Sequence, residues 1–178
     1  MSGRWFTMKM LTTQIGGLMQ RLTSQNEESI EETARLLAQA TIGQGQVFIA
    51  GFGELEAVCL TALDGVEPFT GAARYAENIE LGTQDRMWIF SRYANDGRAL
   101  EVARHLASRF IPFAAVATEK PGDSNELAAL ATTYIEIGLT RGLLPGDDGE
   151  RIVQPHALAA LFVYEAVKIA YDEMFTFN

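Results

Sequence analysis

Two polar turns in this chain contain residue types that could bind a small anion. The first, Gly51-Phe52-Gly53-Glu54, follows an apolar run at residues 47–50, and the second covers residues 91–98, after an apolar run at residues 87–90. Glycine permits a tight turn and close approach of the backbone to an anion, and guanidinium groups bind phosphate through paired N–H donors. The predicted ligand-binding residues are Gly51, Phe52, Gly53, Glu54, Ser91, Arg92, Tyr93, Asn95, Asp96 and Arg98.

Neither a dinucleotide nor a metal fits these patterns well. A dinucleotide-binding turn requires a third glycine three residues after the second, and Glu56 stands there. A carboxylate at Glu54 would repel a phosphate if it faced inward. The acidic loop around Asp147 and Asp148 lacks the ligand spacing of a calcium loop. The chain has two histidines and no Cys–His spacing, so the case for a transition-metal site is weaker still. We therefore predict no metal and no cofactor.

The elements that position the two turns follow from the spacing of apolar residues. Short apolar runs predict strands at residues 47–50, 87–90, 112–117 and 134–137, with a short edge strand within residues 67–75. Segments with helical spacing lie between them, and the last helix begins near Pro155. Strands that alternate with helices predict an α/β fold, a three-layer sandwich around a five-stranded parallel sheet. In such sheets ligands bind at the carboxyl ends of central strands.

Two further helices are expected before the first strand. Residues 8–25 carry an apolar stripe at helical spacing, and a second helix is predicted to start at Asn26, a good capping residue, and to end at Gly43. We therefore divide the single domain of residues 1–178 into an N-terminal helical extension, 1–43, and an α/β core, 44–178. The extension could mediate oligomerisation.

Composition excludes several classes of partner. The formal charge of −9 and the pI near 4.7 argue against nucleic acid and anionic membrane surfaces, which are bound through clustered Lys and Arg. One cysteine, Cys59, rules out an intrachain disulfide and suits a reducing compartment. No signal peptide or membrane span is apparent in the first 25 residues, so we expect a cytoplasmic protein.

The order of these parts resembles the SIS (sugar isomerase) domain family, and most of all its phosphoheptose isomerase branch. The resemblance rests on the leading helices, the Gly51-Phe52-Gly53 turn, the strand, loop and helix that begin at Met87, and the closing helix introduced by Glu150-Arg151-Ile152. It implies a five-stranded parallel sheet of flavodoxin-like order, a phosphosugar bound between the first and third strands, and a homodimer or homotetramer.

The family's two ligand loops, Gly-x-Gly-x-Ser and Ser-x-Ser-Gly-x-Thr/Ser, are both altered. Leu55 stands at the serine of the first loop. In the second, Ser91 keeps the first serine, but Tyr93, Ala94 and Asp96 replace the second serine, the glycine and the last hydroxyl residue. The standard phosphate cradle is therefore broken. Arg92 and Arg98 could compensate, because guanidinium binds phosphate and a helix start adds N–H donors.

Aldose–ketose isomerisation needs a positioned base and acid, commonly Glu and His. The resemblance implies that these come from the helix after the first loop and from the closing helix. Matching those helices places Thr61 and Asp64 or Gly65 at the first pair of positions and Leu161 at the closing histidine, with His156 more than a turn earlier. Asp64 and His156 are the predicted catalytic residues, provided that a shift in register brings them together.

The sequence leaves three alternative hypotheses of function. The first is an SIS-type module that binds a phosphosugar or related anionic small molecule, with a binding or regulatory role and altered catalysis. The second is an active phosphosugar isomerase that uses Asp64 and His156. The third is an oligomeric interaction scaffold without a ligand, assembled through the leading helices.

Overall fold

A five-stranded parallel sheet forms the middle layer of the structure, a computed structural model that describes residues 2–176. Its strands lie in the order β2-β1-β3-β4-β5. They are β1 Val47–Gly51, β2 Ala72–Arg74, β3 Arg86–Tyr93, β4 Phe113–Thr118 and β5 Thr133–Glu136. The predicted strand set and the flavodoxin-like order are confirmed. β3 extends through Tyr93, so Ser91, Arg92 and Tyr93 end the central strand and are not part of the polar turn that the sequence predicted.

Helices cover both faces of the sheet. They are α1 Ser2–Ile42, α2 Glu56–Asp64, α3 Gly97–Ser108, α4 Glu126–Leu130 and α5 His156–Thr176, with a 3-10 turn at Gly53–Leu55. α1, α2 and α5 pack on one face against alternate strand residues such as Ile49 and Trp88, and α3 and α4 pack on the other against Ala50 and Ile89. Because both faces are covered, the central strands are apolar without alternation. The predicted three-layer α/β sandwich is confirmed.

The two predicted N-terminal helices are one continuous helix of 41 residues, so the predicted break at Asn26 is wrong. Asn26 is buried, donates to the backbone oxygens of Leu22 and Glu136, both at 3.0 Å, and accepts from the Glu136 N–H at 3.1 Å. A capping side chain must bind a free N–H at a helix start, whereas this amide binds α1 to β5. α1 therefore packs on the sheet as part of the core.

Two smaller elements complete the fold. The side chain that caps α4 is Asn125, which accepts from the Ala128 N–H at 2.9 Å. The loop of residues 138–151 includes part of a short antiparallel hairpin, β6 Leu144–Pro145 and β7 Arg151–Ile152. Within residues 2–176, no group of three or more metal-ligating side chains occurs, and no helix has a stretch long and apolar enough to cross a membrane.

Candidate functional site

The two predicted turns lie side by side at the carboxyl edge of the sheet. β1 and β3 are adjacent parallel strands whose register pairs Gly51 with Phe90. The Phe52 N–H donates to the Phe90 carbonyl at 3.0 Å, so the first turn starts against the central strand. Gly51 allows this turn to be tight, because a Cβ there would lie 2.2 Å from the Leu55 carbonyl oxygen. The sequence therefore builds a common edge from two distant segments.

A bidentate ion pair spans the gap between the two turns. Arg92 donates from Nε to Glu54 Oε1 at 2.8 Å and from Nη2 to Oε2 at 2.5 Å. Hydrogen bonding to Arg92 lowers the pKa of Glu54, and the same contact raises the pKa of Arg92. Both side chains are exposed, so the pair contributes little to folding stability. Because Arg92 is already paired with a carboxylate, a phosphate would have to compete with Glu54 for this guanidinium.

The second loop is closed by its own side chains. Ser91 is buried, and its hydroxyl donates to the Tyr93 carbonyl at 2.9 Å. The Tyr93 ring, at the position of the family's second serine, lies edge-on to His156 with 5.3 Å between centroids, and Lys120 Nζ lies 4.4 Å from its centroid. Asn95 donates to Asp123 at 2.7 Å, which joins the loops after β3 and β4. These groups bind one another in the space between the two turns where the sequence predicted anion-binding residues, called the predicted cradle below.

Arg98 is the predicted basic residue that stays available. Asp96 caps α3 by accepting from the Ala99 N–H at 3.0 Å, which places Arg98 in the first turn of that helix. The exposed guanidinium lies over the Phe52 ring, 5.2 Å from its centroid. Among the ion pairs of the described residues, none involves Arg98. Its charge is therefore free to attract an anion.

Arg98 and Phe52 open into a cleft on the α3 face of the sheet. The cleft has a volume of about 580 Å³, and its lining includes Phe52, Tyr75, Asn78, Arg98, Glu101 and His105. A smaller compartment of about 260 Å³ adjoins it at the carboxyl end of β1, where Gly51 and Arg74 lie. Arg74 is paired with Glu56, so it adds little free charge there. This cleft, called the α3 cleft below, is a candidate binding site on the side of the sheet that α3 covers.

Residues 75–80, which form one wall of the α3 cleft, were not predicted as site residues. They belong to the connection between β2 and β3, whose Ile79 and Leu81 pack in the same hydrophobic cluster as α3. α3 and α4 follow β3 and β4 in the chain. The connection from β2 to β3 therefore covers the β2 and β1 side of the same face. Their polar sequence without periodicity predicts only a loop. The one feature that could have indicated a site is their position directly after an edge strand.

The structure does not bring Asp64 and His156 together. Asp64 is exposed at the C-terminal end of α2, eight residues and about 12 Å along the helix axis from Glu56. His156 is 1% exposed at the start of α5, and neither ring nitrogen has a hydrogen-bond partner among the described residues. Burial lowers the pKa of His156, and the nearby Glu54 carboxylate opposes that shift. The carboxylate close enough to influence His156 is therefore Glu54.

The pKa of His156 leads to a pH prediction. Because the folded-state pKa lies below the ordinary value of 6.5, the unfolded chain takes up the proton first as pH falls. The contribution of neutral His156 to the free energy of unfolding is therefore fully present above pH 6.5. Below that pH it is lost, by up to about 1.4 kcal/mol per pH unit. Urea unfolding from pH 7.5 to 5.5 should show this loss in the parent and in His105→Gln, and His156→Leu should flatten it. An unchanged slope in His156→Leu would contradict the prediction.

The fold is that of an SIS-like α/β protein. The structure is similar to that of the phosphoheptose isomerase GmhA from Neisseria gonorrhoeae, with a TM-score of 0.65 and 13% identity, covering 95% of this chain and 98% of that one. It is also similar to the Vibrio vulnificus NanR protein complexed with ManNAc-6P, with a TM-score of 0.67 and 13% identity, covering 92% of this chain. The match spans 61% of the NanR chain. The predicted SIS fold is confirmed.

Sequence comparison gives the family. The chain belongs to the family described as Domain of unknown function (DUF2529), whose profile matches residues 7–175. A relative in Bacillus subtilis (strain 168), the uncharacterized protein YwjG, is 30% identical over 168 residues, which cover 94% of this chain and 96% of the relative.

Proposed function

We propose that this protein binds a phosphosugar, or a closely related anionic carbohydrate, in the α3 cleft, in a binding or regulatory role. The observation that carries the proposal is the position of Arg98, an unpaired guanidinium in the first turn of α3 that lies over Phe52 and lines both compartments of the cleft. The predicted cradle between the turns is occupied by the Glu54–Arg92 pair and by Tyr93. The ligand therefore binds beside the cradle.

The phosphate end of the site is built by α3. The first N–H groups of a helix have no intrahelical partner and carry a partial positive charge, which favours an anion. At α3 the Asp96 carboxylate already accepts from one of them, the Ala99 N–H. A Cβ built on Gly97 meets no atom within 4 Å, so there is room for a side chain at this helix start. Arg98 adds a charged, potentially bidentate donor to this helix start. Together they provide the donors of a phosphate site without the family's serines.

The sugar end of the site combines aromatic and polar side chains. The half-buried rings of Phe52 and Tyr75 offer apolar surface to a sugar ring, and Asn78 and Glu101 can accept or donate hydrogen bonds to its hydroxyl groups. The NanR structure holds ManNAc-6P and another neighbour is a phosphoheptose isomerase, so related folds accommodate this class of ligand. That likeness supports the proposal.

Isomerisation is the weaker alternative. Asp64 lies at the C-terminal end of α2, and the charged groups that influence the pKa of His156 are Glu54 and Arg92. The carboxylate near His156 is Glu54, and both of its oxygens accept from Arg92, so taking a proton from a substrate carbon would require that pair to break. We therefore propose binding without aldose–ketose conversion.

Isothermal titration against hexose 6-phosphates, sedoheptulose 7-phosphate, nucleotide sugars and inorganic phosphate tests the proposal. We expect at least one sugar phosphate to bind more tightly than inorganic phosphate, because the ring contributes contacts that phosphate lacks. No heat from any sugar phosphate would overturn the assignment. NMR spectra of the same mixtures should show unchanged sugars, and conversion of aldose into ketose would instead establish an isomerase.

A further inference from the structure

The guanidinium of Arg98 shares the α3 cleft with carboxylates that could bind it in place of a ligand. Glu77 lines both compartments together with Arg98, and Glu101 lies three residues further along α3 and lines the larger compartment. Side chains three residues apart on a helix are neighbours, so an Arg98–Glu101 pair is within reach. Within residues 2–176, however, neither carboxylate forms an ion pair, and Arg98 forms none. A different contact therefore accounts for the position of Arg98.

That contact is made by the ring of Phe52. The Arg98 guanidinium lies over this ring, 5.2 Å from its centroid. A cation–π contact attracts the charge to the face of the ring and uses none of the N–H donors of the guanidinium, whereas an ion pair with a carboxylate uses them. The N–H groups of Arg98 consequently remain available to a phosphate.

Phe52 is itself anchored to the sheet. Its N–H donates to the Phe90 carbonyl at 3.0 Å, and its carbonyl accepts from the Leu55 N–H at 3.3 Å, so its backbone is held on both sides. The ring is half-buried and packs against the hydrophobic cluster between α3 and the sheet, which includes Ala50. Because the ring is fixed, it can hold the exposed Arg98 side chain in one position before a ligand arrives.

We infer that Phe52 is a positioning residue of the proposed anion site: its ring holds the Arg98 guanidinium away from Glu77 and Glu101 and so keeps it free for a phosphate. The inference rests on the proposed function, and it adds the residue that keeps the cation of that site available. A side chain without a ring would release Arg98 to the carboxylates, because an exposed ion pair and a cation–π contact have similar strengths. A phosphate would then have to displace a carboxylate before it could bind.

A double-mutant cycle tests the inference by isothermal titration with the tightest sugar phosphate of the panel. Phe52→Leu should weaken binding about two- to fivefold, which corresponds to the loss of an exposed cation–π contact. Adding Glu77→Gln and Glu101→Gln to this variant should raise its affinity by a larger factor than the same two substitutions raise that of the parent. Phe52→Tyr keeps a ring and should lose less affinity than Phe52→Leu. The control is Glu28→Gln, which removes an exposed carboxylate on α1 outside the cleft.

Recovery by the glutamine substitutions separates positioning of Arg98 from a direct contact between the Phe52 ring and the sugar. A larger recovery in the Phe52→Leu background than in the parent, with no such difference for Glu28→Gln, supports the inference. An equal effect in both backgrounds, or unweakened binding by Phe52→Leu, overturns it and leaves phosphosugar binding in place. If circular dichroism shows that Phe52→Leu does not fold, Phe52→Met takes its place in the same cycle. A parent protein that binds no sugar phosphate overturns both proposals.

Discussion

Gly51→Ala is expected to lower the free energy of unfolding by about 3 kcal/mol, the upper end of the effect of overpacking a core. The added Cβ would lie 2.2 Å from the Leu55 oxygen and 2.8 Å from the Glu56 nitrogen. Both are backbone atoms, so relief requires the turn after β1 to open, which separates the 3-10 turn from the sheet. Urea unfolding followed by circular dichroism measures the change.

The matched control is Gly97→Ala at the start of α3. Its Cβ meets nothing within 4 Å, so the substitution should leave stability unchanged or raise it by up to about 1 kcal/mol. Both variants add one methyl group at a strand-to-helix turn, and they differ only in the space available. A Gly51→Ala protein that unfolds at the same urea concentration as Gly97→Ala would show that the turn is not as tight as described.

Arg98→Gln is expected to weaken sugar phosphate binding about 10- to 100-fold. The substitution keeps much of the side chain's length and removes the charge, and a hydrogen bond to a charged group contributes about 1.5–3 kcal/mol. The effect should appear for every sugar phosphate that binds, because the phosphate is the group they share. Isothermal titration with the tightest ligand of the panel measures it.

Two other arginines make this prediction specific to the α3 cleft. Arg104→Gln removes the same charge from the same helix, where Arg104 pairs with Glu126, and it should change affinity less than twofold. Arg92→Gln breaks the pair with Glu54 in the predicted cradle and should have a much smaller effect than Arg98→Gln. A large loss in Arg92→Gln with normal binding in Arg98→Gln would place the ligand in the cradle.

Most of the fold could be predicted from local patterns, because buried parallel strands are continuous apolar runs and helices have a 3.6-residue period. The failure at α1 shows the limit of that reasoning. Asn26 favours a helix start in isolation, but its amide is satisfied by Leu22 and by Glu136, 110 residues away. No local pattern reveals a partner at that distance, so tertiary contacts decided the length of the helix.

The candidate site was predictable in position but not in its contacts. Parallel topology places the turns at Gly51 and Ser91 on one edge, and the sequence shows both. The pairing of Glu54 with Arg92, across 38 residues, depends on side-chain geometry that spacing does not encode. The α3 cleft depends on residues 75–80, which have no periodicity of their own. The sequence consequently indicated this edge of the sheet, with Phe52 and Arg98 of the proposed cleft, but not the wall that residues 75–80 form.

The central claim is that the anion site lies at Arg98 in the α3 cleft, beside a cradle closed by its own side chains. A crystal structure of the protein grown with a hexose 6-phosphate tests it most directly. The account predicts phosphate density against the Arg98 guanidinium and the first turn of α3, with the Glu54–Arg92 pair intact. Phosphate density between Ser91 and Asn95, with Arg92 turned away from Glu54, would contradict it.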